Sequence, residues 1–181
     1  MKQKIISHPV FLCGMMGSGK STIGEQLAKE LDVPFIDLDE RIEKSEGMSI
    51  PEIFNQKGEK GFRKVEKKLL VKIAGSAEGV VALGGGALQN QQIVDHLKLY
   101  GWLIYIDASQ VEILDRLSDT SGRPMIDDSE ELSQRISSLF DERMVFYEQS
   151  HFSIQTEKKS VKQVVTEIVK KLKIYEGRDY H

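Results

Sequence analysis

The sequence predicts an α/β domain in which a parallel sheet is covered by helices on both faces. Short apolar runs alternate along the 181 residues with longer segments whose apolar side chains recur at helical spacing. The short runs are apolar at nearly every position, which is typical of strands buried on both faces. The composition agrees, because 40% hydrophobic and 29% charged residues are ordinary values for a globular domain of this length.

Five predicted strands and their intervening helices follow in order along the chain. The first strand ends at Gly14, and the third ends at a run of three glycines, residues 84–86. Ile23, Leu27 and Leu31 mark the first helix by their spacing. The predicted strands are residues 9–13, 33–37, 79–83, 102–106 and 152–155; the predicted helices are residues 23–31, 41–47, 50–74 (broken near Gly58 and Gly61), 89–98, 111–117, 133–148 and 161–172. Residues 118–129 are predicted as a polar connection.

Charge and cysteine content exclude several classes of protein. The net charge of −3 offers no overall basic field for nucleic acid. No apolar run approaches the roughly 18 residues that cross a bilayer, and the first residues lack the pattern of a secretory signal. Cys13 is the single cysteine, which excludes an internal disulfide and a zinc site built from cysteines. We therefore expect a cytoplasmic monomer that binds neither nucleic acid nor membrane.

A phosphate-binding loop is predicted at residues 14–22, Gly-Met-Met-Gly-Ser-Gly-Lys-Ser-Thr, which match G-x-x-x-x-G-K-[ST] in full. The match lies between a predicted strand and a predicted helix, as the mechanism requires. Its glycines let backbone N–H groups point at phosphate oxygens, and the helix N-terminus adds about half a positive charge. Lys20 can then reach the β- and γ-phosphates, and the Ser21 hydroxyl can bind Mg²⁺.

Two aspartates follow the second predicted strand. Asp37 lies 16 residues beyond Ser21 and is followed by Leu38 and Asp39. Both carboxylates are expected at the carboxyl edge of the sheet, where ligands of open α/β sheets bind. One acid can hold Mg²⁺ through water, and the other can accept a proton from an attacking hydroxyl. The alternative is an ordinary helix N-cap, because Asp39 directly precedes a predicted helix.

Five segments in this order resemble those of the shikimate kinase family. They are GMMGSGKST, FIDLDERIE, SIPEIFNQKGEKGFRKVE, GGGA at 84–87 and GRPMI at 122–126, and the resemblance covers residues 9–172. It implies a three-layer P-loop kinase fold with a five-stranded parallel sheet in a single kinase domain, residues 1–181. It also implies an acceptor-binding subdomain at residues 40–74 and a mobile lid at residues 118–129. The implied reaction is Mg²⁺-dependent transfer of the ATP γ-phosphate to the 3-hydroxyl of shikimate, in aromatic amino-acid biosynthesis.

The same resemblance implies roles for individual residues. Asp39 matches the acid that contacts the accepting hydroxyls, and Arg63 matches the anchor of the acceptor carboxylate. An arginine fork can bind a carboxylate through two hydrogen bonds, and Glu66 can hold Arg63 from one helical turn further on. The implied catalytic residues are Lys20, Asp39 and Arg123; the ATP-binding residues are Gly17, Ser18, Gly19, Lys20, Ser21, Thr22, Arg116 and Arg123; the acceptor-binding residues are Asp39, Phe54, Phe62, Arg63, Gly84, Gly85, Gly86 and Arg143; and the metal ligands are Ser21 and Asp37.

Simpler interpretations exist for several of these residues. Phe54 and Phe62 are of a type that more often packs in a core, and the two arginines at 63 and 143 could be surface charges. The chain also departs from the family at Ala82, where Ser or Thr is usual, and by lacking a proline between Arg143 and Tyr147. The alternative functions are another small-metabolite kinase, such as a gluconate kinase, or a catalytically silent nucleotide-binding module.

Overall fold

A five-stranded parallel sheet lies at the centre of the fold. The structure is a computed structural model, and it describes residues 6–120 and 126–177. The strand order is β2-β3-β1-β4-β5, and all four neighbouring pairs are parallel. The strands are β1 Val10–Cys13, β2 Phe35–Asp37, β3 Val80–Ala82, β4 Trp102–Asp107 and β5 Phe152–Gln155; the helices are α1 Lys20–Leu31, α2 Leu38–Glu46, α3 Ile50–Ala74, α4 Gln91–Tyr100, α5 Gln110–Thr120, α6 Ile126–Tyr147 and α7 Val161–Glu176.

Helices cover both faces of the sheet, which confirms the predicted fold class. Side chains on one face, such as Phe11 and Leu103, pack with α2 to α6. Side chains on the other face, such as Leu12 and Ile104, pack with α1 and α7. Both sets are fully buried, so successive residues of the central strands need apolar side chains. Among the described residues, no helix is both long and apolar enough to span a bilayer.

The strand order fixes where a ligand can bind. The chain leaves β1 through α1 to reach β2 on one side, and leaves β3 through α4 to reach β4 on the other side. The crevice at such a switch point lies outside the carboxyl ends of the strands. The loop after β1 begins at Gly14, which has a φ of 145°. A Cβ at this position would lie 2.5 Å from the Ile106 carbonyl oxygen, so a larger residue does not fit. The three glycines after β3 lie at the same edge.

Several helix boundaries differ from the predicted ones. Helix α2 begins at Leu38 because Asp37, not Asp39, is its N-cap and accepts from the Asp39 and Glu40 N–H groups. Helix α5 continues to Thr120, and α6 already begins at Ile126, so most of the predicted polar connection is helical. Polarity alone misplaced these ends, because helices of globular proteins also contain many polar residues. The predicted break in α3 is confirmed at Gly58, which has non-helical φ and ψ angles.

A buried carboxylate fixes the end of α7. Glu176 is 7% exposed and accepts hydrogen bonds from the Trp102 indole N–H at 2.8 Å and the Ser7 N–H at 3.0 Å. Burial alone would raise the pKa of Glu176, but these donors hold it below the ordinary value of 4.5. A lowered folded-state pKa means that the contact stabilises the fold above the unfolded-state pKa. That stabilisation is lost as the pH falls through the folded-state pKa.

The substitution Glu176→Ala should therefore lower the free energy of unfolding by about 1–3 kcal/mol, because it leaves a buried indole N–H unpaired. Urea unfolding at neutral pH measures the loss. The matched control is Glu167→Ala, which removes a solvent-accessible partner of Lys159 and should cost about 0.5 kcal/mol or less. The difference between wild type and Glu176→Ala should shrink in acid. Equal losses in the two variants would contradict the anchoring role.

Candidate active site

The phosphate-binding loop has the geometry that its sequence predicts. Gly19, with a φ of 91°, is the N-cap of α1, and Lys20 is the first helical residue. The Lys20 ammonium is buried and donates to the carbonyls of Gly14 at 2.9 Å and Met15 at 2.8 Å. Burial lowers the pKa of Lys20 to about 8, although Asp39 and Asp37 favour its charged form. The ammonium is therefore still mainly protonated at neutral pH.

The other loop residues differ in how they could contact a nucleotide. Gly17, Gly19, Ser21 and Thr22 line an open cleft of about 370 Å³ together with Lys20. Ser18 is 1% exposed, and its hydroxyl has no partner among the described residues. Its backbone N–H donates to the Met15 carbonyl at 3.2 Å, so Ser18 closes the turn of the loop in this structure.

Ser21 and Asp37 lie together at the carboxyl edge of the sheet. The Ser21 hydroxyl donates to Asp37 Oδ2 at 2.6 Å, while Asp37 Oδ1 accepts from the Asp39 N–H at 2.9 Å. A hydroxyl and a carboxylate are oxygen ligands of the kind that Mg²⁺ prefers, and Mg²⁺ commonly takes only one or two protein ligands beside phosphates and water. The described residues contain no larger His, Cys, Asp and Glu cluster. Ala82, which pairs with Asp37 in the sheet, is 2% exposed.

Asp39 lies on the lining of the same cleft as Lys20. Burial, together with the negative charges of Asp37 and Glu66, raises the pKa of Asp39 to about 6. A carboxylate with a pKa near the working pH is a better proton acceptor than an ordinary aspartate.

The glycine run after β3 is required by the charged side chains around it. A Cβ at Gly84 would lie 2.8 Å from Asp39 Oδ1 and 3.0 Å from Glu66 Oε1. A Cβ at Gly86 would overlap the Arg63 guanidinium, and one at Gly85 would lie 3.0 Å from the Met16 backbone nitrogen. The close backbone approach that the sequence predicts is therefore present, and here it admits charged groups from α2 and α3.

Arg63 is held by a buried carboxylate. Its guanidinium donates to Glu66 Oε2 at 2.8 Å, as the spacing predicts, and Glu66 is 1% exposed. Gln89 donates to the same oxygen at 2.7 Å. Gln89 was not predicted as a site residue, because a polar residue after a glycine loop is ordinary.

A second cavity, of about 470 Å³, brings the two predicted carboxylate anchors together. Arg63 from α3 and Arg143 from α6 both line it, although 80 residues separate them. Two guanidinium groups on one cavity wall suit a small organic anion. The remaining lining residues are Glu59, Lys60, Gly86, Leu88, Gln89, Leu139, Glu142 and Phe146.

The structure does not place Phe54 or Phe62 on the lining of either cavity. Phe62 is part of the core, and Phe54 is 36% exposed and stacks on it with the ring centroids 4.6 Å apart. Phe62 is drawn inward because it occupies the apolar face of α3. The Arg63 guanidinium lies over the ring of Phe62 in a cation–π contact, with Cζ 5.2 Å from the ring centroid.

Arg116 joins the phosphate-binding loop to the segment after β5. It donates to the Gly17 carbonyl at 2.9 Å and to Glu112 Oε1 at 3.0 Å, and Glu112 Oε2 accepts from the Thr156 hydroxyl at 2.9 Å. Neither Glu112 nor Thr156 was predicted from the sequence. Arg123 lies outside the described residues.

Comparison with known proteins gives a consistent result. A sequence profile described as "Shikimate kinase" matches residues 16–173. A shikimate kinase of Sulfurihydrogenibium sp. is 40% identical over 164 residues, which cover 91% of this chain and 97% of that protein. The solved structure of a shikimate kinase from Acinetobacter baumannii, in complex with shikimate, has a TM-score of 0.82 and 30% identity, with 91% of this chain and 92% of that chain covered.

A gluconokinase from Sinorhizobium meliloti is less similar. Its TM-score is 0.63 at 19% identity, with 96% of this chain and 95% of that chain covered, which shows a shared fold alone. The profile match spans most of the chain, and the relative from Sulfurihydrogenibium is well above 30% identical over nearly its full length. The chain therefore belongs to the shikimate kinase family and is an ATP-dependent kinase.

Proposed function

We propose that this kinase transfers the γ-phosphate of ATP to the 3-hydroxyl of shikimate, giving shikimate 3-phosphate and ADP. One observation carries the proposal. The cleft of about 370 Å³, here called the phosphate cleft, includes Gly85 in its lining, and the cavity of about 470 Å³, here called the arginine cavity, includes Gly86, so consecutive residues of the glycine run line the two spaces. A small anion held by the arginines would place its far side at the cleft that contains Lys20 and Asp39.

The proposed chemistry is an in-line displacement at the γ-phosphorus. The acceptor hydroxyl oxygen forms a bond to that phosphorus, the bond to the β–γ bridging oxygen breaks, and ADP leaves. Asp39 accepts the hydroxyl proton, and its raised pKa suits this role. Lys20 stabilises the charge on the phosphates from the first turn of α1.

We assign the Mg²⁺ site to Ser21 and Asp37, whose oxygens already lie together. Bound Mg²⁺ neutralises part of the negative charge on the β- and γ-phosphates. Residues 14–22 would bind the phosphates through backbone N–H groups, and Arg116 is placed near them through its contact with Gly17.

The acceptor side is assigned to residues 40–74 and the glycine run. Arg63 and Arg143 would bind the carboxylate, while Gly84, Gly85 and Gly86 admit the substrate close to the backbone. Phe54 and Phe62 remain assigned to the acceptor subdomain, where they would act by supporting Arg63.

Residues 118–129 are proposed as the lid, and Arg123 as its catalytic arginine. Closure would bring a positive charge to the transferring phosphoryl group and exclude water.

We also infer that the enzyme acts as a cytoplasmic monomer on small-molecule substrates. An ADP-release assay with shikimate, gluconate and a nucleoside monophosphate tests the function, and clear turnover of gluconate alone would refute it.

The substitution Arg63→Ala should raise the KM for shikimate by about 10- to 150-fold, the value of a lost charge-assisted contact of roughly 1.5–3 kcal/mol. The KM for ATP should stay nearly constant, because Arg63 lines the arginine cavity and is not among the described residues that line the cleft of Lys20. Lys64→Ala is the control, since Lys64 is an exposed neighbour of the same charge. An unchanged shikimate KM would show that Arg63 is not the anchor.

The pH profile of kcat/KM for shikimate should fall below about pH 6, because protonated Asp39 cannot accept the substrate proton. Asp39→Asn should lower kcat by about 100-fold or more. The raised pKa means that the charge on Asp39 costs stability at neutral pH, so this variant should melt no lower than wild type. Glu40→Gln, which changes an exposed neighbour, should keep the acid limb. An acid limb that persists in Asp39→Asn would assign it to another group.

The substitution Asp37→Asn separates the metal site from the helix cap. Asparagine caps helices as well as aspartate does, so the melting temperature should change little. The loss of the charged ligand should raise the Mg²⁺ concentration for half-maximal activity by about 10- to 100-fold. A magnesium titration measures this, and a normal Mg²⁺ response with a lowered melting temperature would restrict Asp37 to the capping role.

A further inference from the structure

Tyr147 is a buried polar residue that the proposed chemistry leaves without a role. It is the last residue of α6 and is 1% exposed. Its hydroxyl donates to the Gly85 carbonyl in the glycine run and lies 3.8 Å from the Met15 sulfur in the phosphate-binding loop. One hydroxyl therefore contacts both loops that form the edge of the phosphate cleft.

Arg143 completes this contact from one helical turn earlier on α6. Its Nη1 lies 4.0 Å from the Met15 sulfur and would be 3.5 Å from a Cβ at Gly85. The guanidinium and the Tyr147 hydroxyl therefore lie against the same two neighbours, the Met15 sulfur and Gly85. Burial raises the pKa of the Tyr147 hydroxyl, and the positive charge of Arg143 opposes this in part.

The ring of Tyr147 is fixed by the sheet. It stacks on Tyr105 of β4 with the centroids 5.1 Å apart and the planes at 18°. The Tyr105 hydroxyl faces the Met144 sulfur at 3.4 Å, away from the glycine run. Two stacked tyrosines thus share one packing environment, but only one of them contacts the site.

We propose that Tyr147 is a positioning residue for the acceptor substrate. Its hydroxyl fixes the Gly85 backbone, against which the Arg143 guanidinium lies, so that the carboxylate anchor and the phosphate cleft keep a fixed separation. Without it, Arg143 keeps its charge but lies against a glycine run that is no longer fixed. The inference rests on the proposed function, in which Arg143 and Gly84–Gly86 contact the acceptor.

The test compares Tyr147→Phe with Tyr105→Phe. Both variants keep the stacked rings and lose one buried hydroxyl, so their melting temperatures should fall by similar amounts. Tyr147→Phe should raise the KM for shikimate by about 3- to 10-fold and change the KM for ATP by less than about 2-fold. Tyr105→Phe should change neither KM by more than about 2-fold. Kinetics are measured well below the lower melting temperature.

A double-mutant cycle shows whether Tyr147 acts through Arg143. In an Arg143→Ala background, Tyr147→Phe should raise the shikimate KM by less than about 2-fold, because the guanidinium whose separation from Gly85 it controls is gone. A full effect in that background would overturn the proposal, as would equal KM values for the two tyrosine variants. Wild-type enzyme that fails to phosphorylate shikimate would refute the proposed function instead, so the two failures are distinguishable.

Discussion

The buried carboxylate of Glu66 joins the parts of the candidate site. It accepts hydrogen bonds from Arg63 and Gln89, lies against Gly84, and contributes to the raised pKa of Asp39. A charge at 1% exposure is costly unless it is paired and hydrogen-bonded, and both donors meet that need. Because its partners come from α3 and from the loop after β3, this one group links α3 to the carboxyl edge of the sheet.

Burying the charged groups of the site, Lys20 and Asp39, lowers the stability of the folded protein. Burial lowers the pKa of Lys20 to about 8 and raises the pKa of Asp39 to about 6, so one physical cause shifts a cation and an anion toward neutrality. Burial of either charged group does not stabilise the fold. Strongly perturbed groups in a cleft are typical of active sites, where stability is exchanged for chemistry.

Sequence reasoning succeeded where local pattern decides the structure. The apolar runs determined the sheet, and the glycine-rich match between strand and helix determined the loop that positions Lys20. The proximity of Ser21 and Asp37 was predictable because carboxyl ends of parallel strands meet at one edge. The contacts of Gln89, Glu112 and Tyr147 were not, because they join segments far apart in the chain through ordinary residue types. The N-cap moved from Asp39 to Asp37 because the end of β2, rather than the acid itself, decides where α2 begins.

The glycine run also limits which substitutions this sequence can accept during evolution. Gly84 is confined by two carboxylates, Gly85 by the phosphate-binding loop, and Gly86 by a guanidinium. A mutation that adds even a methyl group at any of the three must be matched by a shift in a neighbour, and those neighbours are the groups proposed to perform the reaction. Each such shift would displace a group that the proposed reaction uses or the loop beside it. The run is fixed by crowding from several directions at once, so new acceptor specificities would have to arise from changes elsewhere in the arginine cavity.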